Sequence, residues 1–440
     1  MSVEVLSIAM FLLLVIFFFM GHPLAFVLGG VATIFGFFVI GPQIFNMFMV
    51  RTYGTMDNFV LVAITLFILM GNFLTVSGVA DGLFESLRYL LGPVRGGLGL
   101  AVIAVCIVFA ACTGIIGASV VTMGLLAGPM LLRYGYQKEI TMGMIAAGGS
   151  LGILIPPSIM LVIMGDQASL SVGKLLLAAV APGVLLGVLY MVYIAIRCFV
   201  DPKIGPPVPP EELAKVPVSK RITGSLIYAL PPMILIFLVL GSIFFGVATP
   251  TEASGVGAFA AFVMLVAYGK FTWKTFANCI YSTAKATTMV VMILVGATCF
   301  TGVFLTMGGG QALIDGIMGM GLGKWGIYTL MMIILIILGM FIDWVGIVMI
   351  VFPVFLPIAK TLGFDPIWFI TIMAVNLQMS FLSPPFGYAL FYLAGMKMEG
   401  VQLSHIYRGV VPFLALQVIG MLLCTLYPQI ILYLPSAMMK

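Results

Sequence analysis

The chain of 440 residues alternates long apolar runs with short polar interruptions. Ten runs have the length of one membrane-spanning helix, which needs about 20 apolar residues. The predicted spans are residues 3–21, 24–41, 59–77, 140–166 and 174–199, followed by 224–247, 250–269, 287–307, 366–396 and 406–434. This pattern predicts an all-α polytopic membrane protein.

Two further apolar runs, residues 98–133 and 325–362, are too long for one span and have polar or glycine-rich middles. The first middle runs from Thr113 to Ser119 and the second surrounds Asp343. We interpret both as re-entrant hairpins that enter and leave on one side of the membrane. Two ordinary spans per run is the alternative.

Two proline pairs, Pro156-Pro157 and Pro384-Pro385, lie 228 positions apart. The same offset relates Pro129 to Pro357, Gly135 to Gly363, Ala146 to Ala374 and Leu154 to Leu382. A proline pair removes two backbone donors, so it breaks a helix where no water can compensate. The matched breaks predict broken helices over 140–166 and 366–396, in two repeats covering 1–199 and 224–440.

Composition and charge indicate the class of protein and the orientation of its spans in the membrane. The chain is 63% hydrophobic and 8% charged, whereas a soluble domain is about a quarter charged. Five spans per half is an odd number, so homologous halves must be inverted. With the N-terminus outside, 14 basic residues lie inside: Arg88, Arg95, Arg133, Lys138, Arg197, Lys203, Lys215, Lys220, Arg221, Lys270, Lys274, Lys285, Lys397 and Arg408. Five lie outside: Arg51, Lys174, Lys324, Lys360 and Lys440.

This excess follows the positive-inside rule and predicts that both termini are periplasmic. Scattered single charges do not predict nucleic-acid binding. The proline-rich segment 200–223 is predicted to be a stiff cytoplasmic linker. Segments 44–57, 78–96, 271–286 and 308–324 are predicted to be interfacial arms, although 308–324 is equally compatible with a plain loop.

The broken helices are candidates for chemistry. Unwound backbone exposes carbonyl oxygens to a cation such as sodium, and the half-helix beyond presents free N–H groups to a carboxylate. Hydroxyls that can complete the ion shells are those of Thr113, Ser119, Ser150, Ser380 and Ser383. Kinking for packing alone is the alternative.

Three acidic positions receive different interpretations. Asp343 at membrane depth is predicted to coordinate sodium, carry a proton or cap a half-helix. Glu252 follows Thr249-Pro250 and is predicted to be a capping residue, as are Asp57-Asn58 before the third span.

Several motifs together resemble the large membrane subunit (DctM-like) of tripartite ATP-independent periplasmic (TRAP) transporters. They are Gly148 to Ser158, Gly246 to Ala253, Gly339 to Asp343, Asn376-Leu377 and Ser383 to Pro385. The sequence differs from that of many family members at two places. The tip of the first predicted hairpin is Thr113-Gly114-Ile115-Ile116, and Gln378 occupies a position where family members often have Glu.

The resemblance implies an elevator-type secondary transporter of a bacterial inner membrane, coupled to sodium ions and without an organic cofactor. It implies a small four-helix membrane subunit and a periplasmic substrate-binding protein as partners, and an organic acid as substrate. The first implied sodium site comprises Thr113, Gly114, Ser119, Gly149, Ser150 and Pro156. The second comprises Asp343, Ser380, Ser383 and Pro384, and the substrate residues are Ser119, Pro157, Ser158, Asn376 and Pro385.

Two alternatives stay open at this point. A stand-alone sodium–dicarboxylate symporter would need no partner subunits. A non-transporting membrane scaffold or enzyme belongs to a different class, and no catalytic motif supports it.

Overall fold

The computed structural model describes residues 2–114, 116–384 and 387–438, apart from the side chains of Ala110 and Cys112. The helices of the first half are α1 (Val3–Phe19), α2 (Leu24–Val39), α3 (Ile44–Met56), α4 (Val60–Val76), α5 (Val79–Leu91), α6 (Gly97–Thr113), α7 (Ile116–Arg133), α8 (Lys138–Ser150), α9 (Ile159–Gln167) and α10 (Val172–Val200). Within the described ranges, seven helices are long and apolar enough to cross a membrane, or eight if the bent pair α3–α4 counts as one span. The all-α polytopic fold is confirmed.

The second half repeats this order after a short linker helix, α11 (Pro210–Ala214). Its helices are α12 (Val218–Phe244), α13 (Pro250–Ala267), α14 (Trp273–Thr306), α15 (Gly309–Gly319), α16 (Gly323–Gly339), α17 (Trp344–Thr361), α18 (Pro366–Ser380), α19 (Tyr388–Gly395), α20 (Leu403–Leu426) and α21 (Gln429–Ala437). Helix α4 packs on α13, and their counterparts α14 and α2 pack in the same way. The halves are therefore related by approximate two-fold symmetry.

The symmetry axis can be located from one hydrogen bond. Gln378 Nε2 donates to Ser150 Oγ at 3.4 Å, and these two residues occupy positions 228 apart. Equivalent positions of a two-fold pair meet only at the axis. The C-terminal ends of α8 and α18 therefore meet at this axis, and nearly every residue of both helices is buried. Neither helix has a continuous polar face, which suits a helix that is enclosed on all sides.

Three boundaries differ from the predictions. The predicted arm 271–286 and span 287–307 form one continuous helix, α14, because no proline or glycine interrupts residues 273–295. The predicted span 406–434 ends at Leu426, since Pro428 disfavours the helical conformation of the residue before it. The linker ends at Pro217, earlier than predicted, because α12 already begins at Val218.

Predicted caps are present at two helix starts. Thr249 Oγ1 accepts from Glu252 N at 3.3 Å, and Glu252 Oε2 accepts from Thr249 N at 2.8 Å, which closes a capping box. Asn58 Oδ1 accepts from Val60 N at 2.9 Å at the start of α4. The capping prediction is confirmed for Glu252 and for Asn58.

The linker is bound to the base of the first hairpin. Arg88 of α5 pairs with Glu212 at 3.0 Å, and Tyr134, directly after α7, donates a hydrogen bond to the same carboxylate. That hydrogen bond, together with Arg88, holds the pKa of Glu212 below its ordinary value. Backbone bonds from Gly96 N to Gly205 O (2.9 Å) and from Gln137 N to Ile204 O (3.0 Å) join the same elements. The linker therefore straps α5, the hairpin and the start of α8.

Candidate functional site

The first hairpin tip lies against the first helix break. Helix α6 ends at Thr113, whose hydroxyl lies 2.8 Å from Ser119 Oγ in α7. Gly114 makes the turn with φ +62°, a conformation that favours glycine. A Cβ on Gly114 would lie 3.1 Å from the carbonyl oxygen of Pro157, so the tip and the break are in direct contact.

The first break contains the proline pair, as predicted. Helix α8 passes through a single 3₁₀ turn, Leu151–Ile153, and α9 begins only at Ile159. Ser158 caps α9 by accepting from Leu161 N at 3.4 Å, and its hydroxyl donates to the carbonyl of Ile153. Within the part of the chain that the structure describes, no hydrogen bond reaches the backbone carbonyls of residues 154–157. These carbonyls can accept from a ligand.

The remaining residues of the first implied sodium site face different neighbours. Gly149 packs against α7, where an added Cβ would lie 2.4 Å from Val120 Cγ2. The hydroxyl of Ser150 donates to Ala147 O at 2.8 Å and accepts from Gln378. The ring of Pro156 lines an apolar groove between α6, α10 and α12. The structure therefore brings Thr113, Gly114, Ser119 and Gly149 together. Of Pro156, only the backbone carbonyl can contribute to the first implied sodium site, because its ring lies in the apolar groove.

The second hairpin tip carries the acidic residue. Asp343 caps α17 by accepting from Val345 N at 3.2 Å. Gly339, at the end of α16, lies so close to Ser380 that an added Cβ would be 2.2 Å from its Oγ. The second tip therefore also contacts the helix that breaks beside it.

The second break separates α18 from α19. Ser380 Oγ donates to Asn376 O at 3.4 Å, and Ser383 Oγ donates to Met379 O at 3.0 Å. Pro384 is partly exposed, whereas Pro385 lies outside the described residues. The Asn376 amide donates to Met332 O at 2.9 Å, so its side chain points toward α16.

Both tips and both breaks meet at one cavity of about 250 Å³. Its lining is Ile68, Gly114, Ile116, Gly117, Ile153, Ile159, Ala286, Met289, Val290, Asp343, Trp344, Phe381, Tyr388 and Tyr392. The lining contains one carboxylate and two phenol groups, and no lysine or arginine among the described residues. We call this space the central cavity.

Comparison with known proteins decides the family. Residues 11–430 match the sequence profile of the family described as "Tripartite ATP-independent periplasmic transporter, DctM component". The chain is 34% identical over 93% of its length to the C4-dicarboxylate TRAP transporter large permease protein DctM of Pseudomonas aeruginosa, and covers 93% of that protein. The chain belongs to this family. It is a DctM component of a secondary transporter, and not an enzyme.

Two other proteins extend this result. The ectoine/5-hydroxyectoine TRAP transporter large permease protein UehC of Ruegeria pomeroyi is 31% identical over 85% of each chain. The crystal structure of the Alcanivorax borkumensis YdaH transporter, described as having an unusual topology, matches 97% of this chain and 98% of its own with a TM-score of 0.61. At 14% identity that likeness concerns the fold alone.

In this DctM component the central cavity includes only part of the predicted site. Gly114 and Asp343 line it, whereas Ser119, Pro157, Ser158 and Asn376 are not among its lining residues. Sequence reasoning missed Tyr388 and Tyr392. Their spacing of four residues places both on one face of α19 directly after the second break, and this was the available signal.

Proposed function

We propose that this DctM component is the permease of a sodium-coupled importer, which takes up a carboxylate delivered by a periplasmic binding protein. The supporting observation is the charge of the central cavity. The described lining of this space holds Asp343 and no basic side chain, so an organic anion gains no countercharge from it. Cotransported sodium ions supply that charge, so substrate and ion enter together.

Oxygen atoms without a described hydrogen-bond partner support the proposal that sodium ions bind here. Oxygen atoms are the ligands that hard cations prefer. The carbonyls of residues 154–157 accept no hydrogen bond from the described residues, and the buried Asn376 Oδ1 and Gln378 Oε1 also lack a described partner. A buried acceptor without a partner is costly, and a bound cation would offset that cost.

We assign the two ion sites to the two tips. The first uses the Thr113–Ser119 hydroxyl pair with the carbonyls of the first break, and the second uses Asp343 with Ser380, Ser383 and the Pro384 carbonyl. The carboxylate of Asp343, which caps α17, supplies oxygen ligands for the second ion. The substrate then lies between the tips, against Tyr388 and Tyr392.

The transport cycle follows from the two structural groups of helices. The hairpins and broken helices form a central body, and α2, α4, α13 and α14 form a cross-paired scaffold beside it. We propose that the central body moves as an elevator against this scaffold in the inner membrane. The charge distribution supports an inside linker and periplasmic termini. A small four-helix subunit completes the membrane part.

The test is uptake of radiolabelled succinate into proteoliposomes that contain the permease, its small subunit and its binding protein. We expect uptake that requires inward-directed sodium and all three proteins. Equal uptake with potassium replacing sodium would refute the coupling. Uptake by this chain alone would instead identify a stand-alone symporter.

A further inference from the structure

A second polar space lies next to the central cavity. Two adjoining cavities of about 230 and 310 Å³ share Arg51, Gln167 and Thr298. Helix α3 and the scaffold helices α4 and α14 form one wall, and α9 and α17 of the central body form the other. We call this space the Arg51 cleft.

The Arg51 cleft leads to the central cavity along three helices. Ile64, Ile163 and Leu294 line the cleft. Ile68, Ile159 and Val290 line the central cavity. Each pair is four residues apart on α4, α9 and α14 respectively, which is about one helical turn or 5–6 Å. A small molecule leaving the cleft in this direction therefore arrives at the hairpin tips.

Arg51 is positioned in the cleft by close packing. Its side chain crosses Gly302 on α14, where an added Cβ would lie 2.3 Å from the Arg51 Nε. Among the described residues it has no hydrogen-bond or ion-pair partner for its guanidinium, whereas Arg88 is held by Glu85 and Glu212. The half-buried guanidinium is held in place by this packing and has no described anionic partner, so it can pair with a carboxylate that enters the cleft.

The carboxylate in the same cleft does not neutralise Arg51. Asp166 Oδ2 accepts from Asn58 Nδ2 at 2.8 Å and from Gln167 Nε2 at 2.9 Å. Amide donors thus hold the charge of Asp166, and its distance from Arg51 exceeds that of an ion pair. The guanidinium stays available to a ligand.

We propose that Arg51 binds the substrate carboxylate in this cleft, between its release from the binding protein and its arrival in the central cavity. This inference rests on the proposed function for the nature of the substrate and for the outward side of the cleft. A guanidinium recognises a carboxylate through two parallel hydrogen bonds. The described lining of the central cavity contains no basic residue, so Arg51 is the group that selects an anion along this path.

The experiment compares Arg51→Gln, Arg51→Lys and wild type in the complete three-protein proteoliposome system with succinate. We expect Arg51→Gln to raise the half-saturating concentration about 10- to 100-fold, the range for a lost charged hydrogen bond, with the maximal rate little changed. Arg51→Lys should lie between the two. The matched control is Lys360→Gln, which removes an exposed charge on the same face that lines neither cavity. An unchanged half-saturating concentration in Arg51→Gln overturns the proposal.

A second measurement does not depend on transport. In Arg51→Cys, modification by a sulfonate-bearing thiol reagent should be slowed by succinate and not by anionic lipid in the vesicle. Slowing by anionic lipid alone would make Arg51 a lipid anchor and overturn the proposal. Failure of wild type to import any acid would refute the proposed function instead, and the labelling result would then decide on the cleft by itself.

Discussion

The contact between Gly339 and Ser380 permits a sharp test of how the second tip is packed. A methyl group on Gly339 would lie 2.2 Å from both the Cβ and the Oγ of Ser380, and ordinary contact begins near 3.4 Å. In Gly339→Ala, α16 and α18 must therefore separate by about 1.2 Å, the difference of those distances, in a region where side chains are close-packed.

Overpacking of this kind costs about 1–3 kcal/mol. We expect the upper part of that range, because Ser380 Cβ is attached to the backbone and cannot swing aside. Alanine gains about 0.5–1 kcal/mol over glycine in a helix. The net destabilisation should thus be about 1–2 kcal/mol, the difference of those two effects.

The assay is the midpoint of thermal unfolding of the purified protein in detergent. We expect a midpoint several degrees lower for Gly339→Ala. The matched control is Gly316→Ala in α15, where an added Cβ meets no atom within 4 Å, so stability should be unchanged or slightly higher.

A double-variant cycle separates this contact from general damage. Ser380→Gly removes the clashing Cβ and should restore part of the stability of Gly339→Ala, whereas Ser380→Ala should not. If Gly339→Ala melts like Gly316→Ala, the two helices are not held at this separation, and the reasoning is refuted.

Three further results are expected. Ser383→Ala should raise the sodium concentration for half-maximal uptake. The control Ser436→Ala removes a similar hydroxyl-to-carbonyl hydrogen bond at an exposed site and should not change it. Equal effects of the two variants would exclude a role of Ser383 in sodium binding. Glu212→Gln should speed proteolysis of the linker relative to Glu211→Gln. In wild type the same loosening should appear only as pH falls below about 4.5, the ordinary pKa of a glutamate. The pKa of Glu212 is lowered in the folded protein, so its stabilisation is fully present above the pKa of the unfolded state and is lost as pH falls through the folded pKa. A linker equally protected at acidic pH would contradict this. Tyr392→Phe should weaken substrate affinity without changing the melting midpoint, and unchanged uptake kinetics would remove its hydroxyl from the site.

Much of the fold was predictable because its signals are local. A proline pair disfavours a continuous helix, and both predicted breaks are present next to Pro156 and Pro384, whereas Pro231-Pro232 lies within the continuous helix α12. The capping box at Thr249 and Glu252 involves residues three apart, so the sequence contains all of it. The continuous helix α14 escaped prediction because an amphipathic stretch and an apolar stretch can join without any local break.

The candidate site was less predictable because its members come from distant parts of the chain. The hydrogen bond between Ser150 and Gln378 forms across the symmetry axis because the C-terminal ends of α8 and α18 meet there. Tyr388 and Tyr392 line the central cavity only because α19 turns back toward the first hairpin tip, where Gly117 makes room for Tyr392.

The sequence alone determined the membrane class, the two repeats, the broken helices and the family, since hydropathy, proline chemistry and motif spacing act within short segments. Only the tertiary structure decided which oxygens stay unpaired, which side chains line the central cavity, and that Arg51 stands one helical turn outside it. These features depend on how separate helices pack. The distances between Gly339 and Ser380 and between Gly302 and Arg51 are set by two segments that are far apart in the chain, so neither segment alone predicts them.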